Sequence, residues 1–308
     1  MDLSIVIVNW NTREMTRECL SSVCAGLGAL RAEIWLVDNA SEDGSAEMVR
    51  ESFPDVRLIE NTENRGFAAA NNQALEQCSG RHVLLLNSDT LVHGDVLTAS
   101  VSYLDRHPHV GVMGCRVLNA DGSLQITGSR FPSLLNLALQ ASGATRLPGA
   151  FFDRYQMTRW DRKTERALDV ISGCFMMVRG TAMREVGLLD EAFFFYGEET
   201  DWCRRFAKAG WTLMLAPVGE ITHFGGGSVK KLNHKRDVML SEGTVRLHRK
   251  HFGWLGGAAC WLLLLGFNGS RAVVWSAISV TGTKARARAR HFRSVVANFG
   301  QVWPRGVR

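Results

Sequence analysis

Short aliphatic and β-branched runs recur through the first third of the chain, and polar residues stand directly at their ends. Leu3–Val8 runs into Asn9, Ile34–Val37 into Asp38-Asn39-Ala40-Ser41, and Val83–Leu86 into Asn87-Ser88-Asp89. Runs that are apolar at successive positions read as strands covered on both faces, as in a parallel sheet. Helix-like stretches from about Met15 to Leu27, Ala46 to Phe53 and Gly66 to Cys78 alternate with them, and Val56–Ile59 reads as a further strand. The alternation predicts an α/β fold: a Rossmann-like, mainly parallel sheet flanked by helices. Ligands of such sheets bind beyond the carboxyl ends of the strands. Asn9, Asp38 and Asp89 are therefore expected to share one site.

The middle of the chain is less regular. Gly111–Val117, Val170–Val178 and Thr212–Ala216 read as strands and Glu199–Ala209 as a helix, while Phe131–Trp160 has no clear period. Beyond it the composition changes. Residues 229–308 hold 15 Lys/Arg against 2 Asp/Glu, so a net charge of +6 for the chain conceals an acidic body and a basic tail. Phe252–Ser270 is 19 residues without a formal charge, close to the minimum for a membrane span. Its glycines and Asn268 weaken a spanning helix, so an interfacial or re-entrant helix pair is equally compatible, as is a buried helix at an oligomer interface. Trp254, Trp261 and Trp275 suit a headgroup zone, and the Lys/Arg from Lys284 onward favour an anionic, cytoplasmic leaflet. The expected division is a catalytic body over 1–234, with a nucleotide-binding half of about 1–118 and an acceptor half of about 119–234. A helical, basic, membrane-associating region follows over 235–308.

Several function classes are disfavoured. Seven cysteines without a C-x-x-C pair make neither a disulfide framework nor a zinc site, and they fit a reducing compartment. A basic segment leading into a longer apolar stretch is missing at the N-terminus, so no signal peptide is expected. No G-x-G-x-x-G follows the first strand, which argues against a dinucleotide oxidoreductase. The tail arginines come without a recognition motif, so no nucleic-acid partner is expected.

Each polar cluster admits two readings. Asp38 can accept from the imide N–H of a pyrimidine base, or act as a turn and cap residue. Asn64-Arg65-Gly66 precedes an Ala-rich helix, where backbone N–H groups could receive an anion or simply be capped. Asp89 can hold Mg2+ or Mn2+ against phosphates, or cap a strand end. Glu198, Glu199 and Asp201 open a helix, where acids suit the dipole; one of them could instead act as a general base. His223 precedes Gly225-Gly226-Gly227-Ser228 and Lys230-Lys231, a loop chemistry open to metal or phosphate.

Taken in order, a set of motifs resembles the family-2 glycosyltransferases with a GT-A fold, and most of all their bacterial rhamnosyltransferase-like branch. They are S-I-V-I-V-N-W-N (4–11), W-L-V-D-N-A-S-E-D-G-S (35–45), E-N-R-G-F-A-A-A-N-N (63–72), V-L-L-L-N-S-D-T (83–90), D-G-S-L-Q (121–125), S-R-F-P-S (129–133), S-G-C-F-M-M-V-R (172–179), F-Y-G-E-E-T-D-W-C-R-R (195–205), A-G-W (209–211) and H-F-G-G-G-S (223–228). The resemblance implies a GT-A fold and a metal-dependent, inverting hexosyltransferase. Asp38 would contact the base, within a nucleotide site of Asn9, Asn39, Asn64, Arg65, Asn71, Asn87 and Ser88. Asp89 would be the second acid of the family's D-x-D motif and His223 the other metal ligand. Glu199 would be the base, supported by Asp201 and Glu198. Arg130, Ser172, Gly173, Gly226, Ser228 and Lys230 would serve the diphosphate and acceptor.

The sequence departs from the pattern twice: Asn87 replaces the first acid of D-x-D, and the acidic pair is Glu-Glu in place of the commoner Glu-Asp. The resemblance favours dTDP-rhamnose as donor, with UDP-galactose, UDP-glucose or a non-catalytic nucleotide-sugar module as alternatives. It implies a lipid-linked saccharide acceptor in cell-surface polysaccharide synthesis, at the cytoplasmic face of the bacterial inner membrane, and it allows a homo-oligomer.

Overall fold

The computed structural model describes residues 1–225 and 233–304. Contacts divide the chain into two compact units. The first comprises Met1–Arg130, Gln156–Phe194 and Glu199–Gly226; the second comprises Phe131–Tyr155, Phe195–Glu198 and Gly227–Arg308.

The first unit is built on β1 (Leu3–Asn9), β2 (Ala32–Asp38), β3 (Arg57–Glu60) and β4 (His82–Asn87), connected by α1 (Arg13–Gly26), α2 (Ser45–Ser52) and α3 (Gly66–Leu75). These strands are parallel in the order β3-β2-β1-β4. The all-apolar runs arise because both faces are covered. Side chains alternate across a strand, and the two core clusters take alternate residues. Leu3, Ile5, Ile7, Ile34, Leu36, Leu84 and Leu86 pack on one face with Cys19, Leu20 and Val23 of α1. Val6, Trp35, Val37, Val83 and Leu85 pack on the other with Ala68, Ala70 and Ala74 of α3.

The remaining strands are β5 (Thr90–Val92), β6 (Val110–Leu118), β7 (Arg166–Ala167), β8 (Phe175–Arg179) and β9 (Thr212–His223), with α4 (Val96–Arg106), α6 (Gly180–Val186) and α7 (Glu198–Lys208) among them; α5 (Leu134–Ser142) begins in the second unit. The sheet continues past β4 as β8-β6-β9-β5. β6 and β9 are parallel, whereas β8 runs antiparallel to both β4 and β6, and β5 and β7 run antiparallel to β9. The GT-A expectation holds, with a sheet that is parallel in its N-terminal half and mixed as a whole. Burial on both faces left a period-free run in the sequence and carried no information about strand direction.

Register decides where the polar strand ends meet. Asn9 pairs with Asp38 and Val8 with Asn87, which brings the ends of β1, β2 and β4 to one edge. β5 and β9 pair Thr90 with His223, which brings Asp89 to the same place as the end of β9.

In the second unit α5 precedes α8 (His234–Ala277) and α9 (Thr283–Ala297); Val245 and Cys260 of α8 and Val295 of α9 share a core with Phe299 and Val302, which follow α9. α8 bends at Gly253, where φ is 72° and ψ −170°, so it is two helices end to end. Among the described residues it is the one helix long and apolar enough to cross a membrane. Trp254, Leu255 and Leu262 lie exposed on it.

Candidate active site

At the end of β1, Asn9 is fully buried and uses every polar side-chain atom internally. Its Nδ2 donates to Asp38 Oδ1 at 2.8 Å and to Ser41 Oγ at 3.0 Å, while its Oδ1 accepts from Thr12 and Thr16. Asp38 Oδ2 accepts from the backbone N–H of Ser41 at 2.9 Å. Each carboxylate oxygen has a second lone pair, so Asp38 is held rigidly and can still accept from a ligand. Asn9 braces Asp38. Asn39 is similarly occupied: it donates to Asn64 Oδ1 and accepts from Asn61 Nδ2 and the Arg65 N–H. It therefore fixes the loop that leads to α3, and Arg65 is left exposed on that loop. Asn71 donates to the Phe67 carbonyl within α3. Asn9, Asn39, Asn64 and Asn71 are thus held in internal hydrogen bonds, Asp38 is buried beside Asn9, and Arg65 is exposed.

Gly66 is required where it stands. Its φ is +80°, and a Cβ there would lie 2.4 Å from the Phe194 carbonyl oxygen. The neighbouring Phe67 N–H donates to that same oxygen at 2.9 Å, so the close approach ties the segment before α7 to the start of α3.

Asp89 and His223 meet, with Asp89 Oδ1 and His223 Nε2 3.2 Å apart. The ring's other nitrogen, Nδ1, lies 2.7 Å from Gln125 Oε1. Backbone carbonyls settle how the amides beside the ring are turned. Gln125 Nε2 donates to the His223 carbonyl and to Asn119 Oδ1, and Asn119 Nδ2 donates to the Leu124 carbonyl. Carbonyls only accept, so both amides are oriented and Gln125 presents oxygen to the ring. Nδ1 therefore donates to Gln125, and Nε2 is the ring nitrogen that faces Asp89. Asn87 Nδ2 lies 3.2 Å from the same nitrogen. A histidine oriented in this way through its second nitrogen is the usual arrangement of a metal ligand. One imidazole and one carboxylate suit Mn2+ or Mg2+ when phosphates and water complete the shell. Among the described residues no group of three His, Cys, Asp or Glu side chains is placed to hold a metal, in keeping with Asn87 at the first acid position. Ser88 Oγ contacts Thr12 Oγ1 at 3.0 Å and ties the β4 end to the β1 end.

Glu198 and Glu199 begin α7, where the helix dipole favours negative charge. Glu198 is buried and Glu199 half-buried. Asp201 is fully buried, accepting from Arg205 Nε at 2.9 Å while the same guanidinium donates to the carbonyls of Val186 and Leu188. Through Arg205 it anchors α7 to the segment that ends α6. Burial pushes the Cys174 thiol up to about 11, and the carboxylates of Asp89 and Glu199 both add to that shift. Cys174 lies in the Gly173-Cys174 turn, and its carbonyl accepts from the Asn87 N–H at 3.3 Å. Arg130 is exposed and ion-paired with Asp169. Gly226, Ser228 and Lys230 lie outside the described residues.

Gln125, Thr12 and Ser41 were not singled out as site residues from the sequence. Gln125 closes the quoted D-G-S-L-Q stretch. The Asp121-Gly122 turn, in which Asp121 Oδ1 accepts from the Ser123 N–H, was the signal that the chain folds back to deliver it.

The family model for glycosyl transferase family 2 matches residues 4–186. The chain belongs to glycosyl transferase family 2. This family-2 glycosyltransferase is 27% identical over 279 residues to N-acetylglucosaminyl-diphospho-decaprenol L-rhamnosyltransferase of Mycobacterium tuberculosis, covering 85% of this chain and 88% of that protein. It is 25% identical over 227 residues to the low-salt glycan biosynthesis hexosyltransferase Agl10 of Haloferax volcanii, covering 72% of this chain and 67% of the relative. In structure it is similar to the mannosyltransferase PcManGT from Pyrobaculum calidifontis, solved in complex with GDP-Man and Mn2+. That likeness has a TM-score of 0.58 at 17% identity and covers 97% of this chain and 84% of the other. A second neighbour, GalNAc-T7 with UDP, GalNAc and Mn2+, has a TM-score of 0.61 at 16% identity over 98% of this glycosyltransferase and 56% of that chain. These likenesses support the GT-A fold.

Proposed function

We propose that the protein is a metal-dependent, inverting hexosyltransferase that moves L-rhamnose from dTDP-rhamnose to a hydroxyl of a lipid-linked saccharide. The observation that carries this reading is the Asp89–His223 pair, its ring oriented by Gln125, at the edge that also bears Asp38. Residues 1–234 are the catalytic body in this reading and 235–308 its membrane-associating region, at the cytoplasmic face of the inner membrane. Sugar transfer in cell-surface glycan synthesis is the setting that the 27% identical relative supports, and that relative's name specifies a lipid-diphosphate acceptor and L-rhamnose.

Asp38 accepts from the imide N–H of the thymine base. Arg65, exposed beside the N-terminus of α3, faces the anionic part of the donor. Asp89 and His223 would hold Mg2+ or Mn2+, which when bound neutralises charge on the departing diphosphate. Glu199 takes the proton from the acceptor hydroxyl as that oxygen forms a bond to the anomeric carbon. The bond from that carbon to the diphosphate oxygen breaks on the opposite face, and the nucleoside diphosphate leaves with the electron pair. One displacement inverts the centre, so no nucleophilic Ser or Cys is needed. The buried, pKa-raised Cys19, Cys174 and Cys203 thiols fit that account, since a thiol held protonated is a poor nucleophile.

The test is donor hydrolysis and binding across dTDP- and UDP-sugars with Mg2+, Mn2+ or EDTA. Hydrolysis of dTDP-rhamnose that EDTA abolishes supports the reading. A preference for UDP-galactose or UDP-glucose would replace the donor, and tight donor binding without turnover in the presence of lipid-extract acceptors would leave only a binding module.

A further inference from the structure

α9 carries an open groove of about 470 Å3 lined by Ser279, Thr283, Arg286, Ala289, Arg290 and Arg293. The arginines stand at i, i+4 and i+7. That spacing holds them within roughly a 60° arc and spreads them over about 10 Å of helix. The other arginines of α8 and α9 are engaged: Arg236 with Asp237, Arg246 with Glu242, Arg249 with the Pro304 carbonyl, Arg271 with the Ala141 carbonyl and Arg288 over the Trp275 ring. Among the described residues no carboxylate pairs with Arg286, Arg290 or Arg293, and the sequence has no acid after Glu242. The groove therefore concentrates uncompensated positive charge. The N-terminal turn of α9, at Thr283, adds backbone N–H groups and the positive end of the helix dipole.

The residues on either side of Ser279 are of the opposite character: Ile278, which follows α8, is exposed and Val280 is 90% exposed. A basic groove with exposed aliphatic side chains flanking one of its lining residues fits a ligand with a multiply charged head and a hydrocarbon tail. A scattered basic face would serve a general anionic surface equally well. Here three arginines line one concavity, and guanidinium groups suit phosphates, which accept bidentate hydrogen bonds.

We propose that Arg286, Arg290 and Arg293, with the Thr283 turn, bind the diphosphate of a lipid diphosphate while Ile278 and Val280, on either side of Ser279, meet the start of its chain. This rests on the reading that the acceptor is lipid-linked, and it assigns recognition of that lipid's head to α9.

The experiment is flotation of the full chain with phosphatidylcholine vesicles containing polyprenyl diphosphate, and with vesicles brought to the same surface charge by phosphatidylglycerol. The expected result is at least about tenfold tighter binding to the diphosphate vesicles, reversed by inorganic diphosphate. Arg290→Gln is expected to lose about tenfold of that binding. Arg290→Lys should lose part of it, since it keeps charge without the fork. Arg288→Gln, the same charge change outside the groove, is expected to bind as the unaltered protein does. Thermal melts establish that each variant is folded. Equal binding to both vesicle types, or equal losses for Arg288→Gln and Arg290→Gln, would show that the helix senses bulk charge and would overturn the assignment. Full occupancy by inorganic diphosphate with no gain from the lipid would overturn its lipid part. Donor turnover by the unaltered protein reports separately on the enzymatic reading, so either idea can fail alone.

Discussion

Replacing Gln125 with leucine isolates the orientation of His223 from its identity. Leucine keeps most of the side-chain volume but removes the oxygen that accepts the ring's Nδ1–H at 2.7 Å. It also removes the Nε2 donor to Asn119 and to the His223 carbonyl. Gln125 is half-buried, so water can reach part of the vacated position. The loss then falls near the lower end for an unmet buried donor, about 1–1.5 kcal/mol. The freed imidazole can also carry its proton on Nε2, which faces Asp89 Oδ1 at 3.2 Å and would have to be deprotonated before it could bind a metal. Together these predict metal activation weakened about tenfold, rising toward 100-fold if the tautomer switches fully. The assay is a Mn2+ titration of donor hydrolysis, reading the midpoint separately from the plateau. A Mn2+ midpoint unchanged in Gln125→Leu would refute the argument that this amide sets the ring, whatever happened to the plateau.

Other substitutions separate chemistry from framework. Glu199→Gln should lower the rate of transfer to acceptor by about 10²–10⁴ with donor affinity retained, measured by kcat and by equilibrium donor binding; a normal rate would remove Glu199 as the base. Asp201→Asn should instead cost about 3 kcal/mol of stability by stranding Arg205, seen in a denaturant melt, with the pH profile of the residual activity unmoved. Gly66→Ala should destabilise by more than about 1 kcal/mol, because φ is positive and the Phe194 carbonyl occupies the Cβ position; a melt equal to that of the unaltered protein would mean the segment before α7 yields freely. Arg162 is fully buried and donates to the carbonyls of Thr127, Gln156, Met157 and Trp160. Arg162→Ala should therefore expose the 156–162 loop to limited proteolysis, and unchanged cleavage would count against its role as the loop's anchor.

Much of the architecture was legible because it rests on local pattern. The apolar runs at Leu3–Val8, Ile34–Val37 and Val83–Leu86 had to be strands covered on both faces, and their polar ends had to share an edge. The order of motifs from Ser4 to Ser228 identified the family. Asp38, Asp89, His223 and Glu199 were readable as candidates because carboxylates and histidine at strand ends and helix starts are costly unless capped, paired or used.

Tertiary structure decided what sequence spacing cannot carry. The direction of β8 between β4 and β6 depends on how the chain returns, and burial on both faces says nothing about it. Asn9, Asp38 and Asp201 all looked like open polar ends in the sequence, and only three-dimensional packing buried Asn9 against Asp38 and Asp201 against Arg205. Gln125 is 98 residues from His223 along the chain, so its hold on the ring exists only once β9 is paired with β6 and β5. Segment 131–155, without a period of its own, takes its place with the C-terminal helices through long-range contacts. The sequence by itself determined which residues could do chemistry, because side-chain type is local. The fold decided which of them are buried against one another and which stay exposed, because burial and hydrogen-bond partnership are long-range.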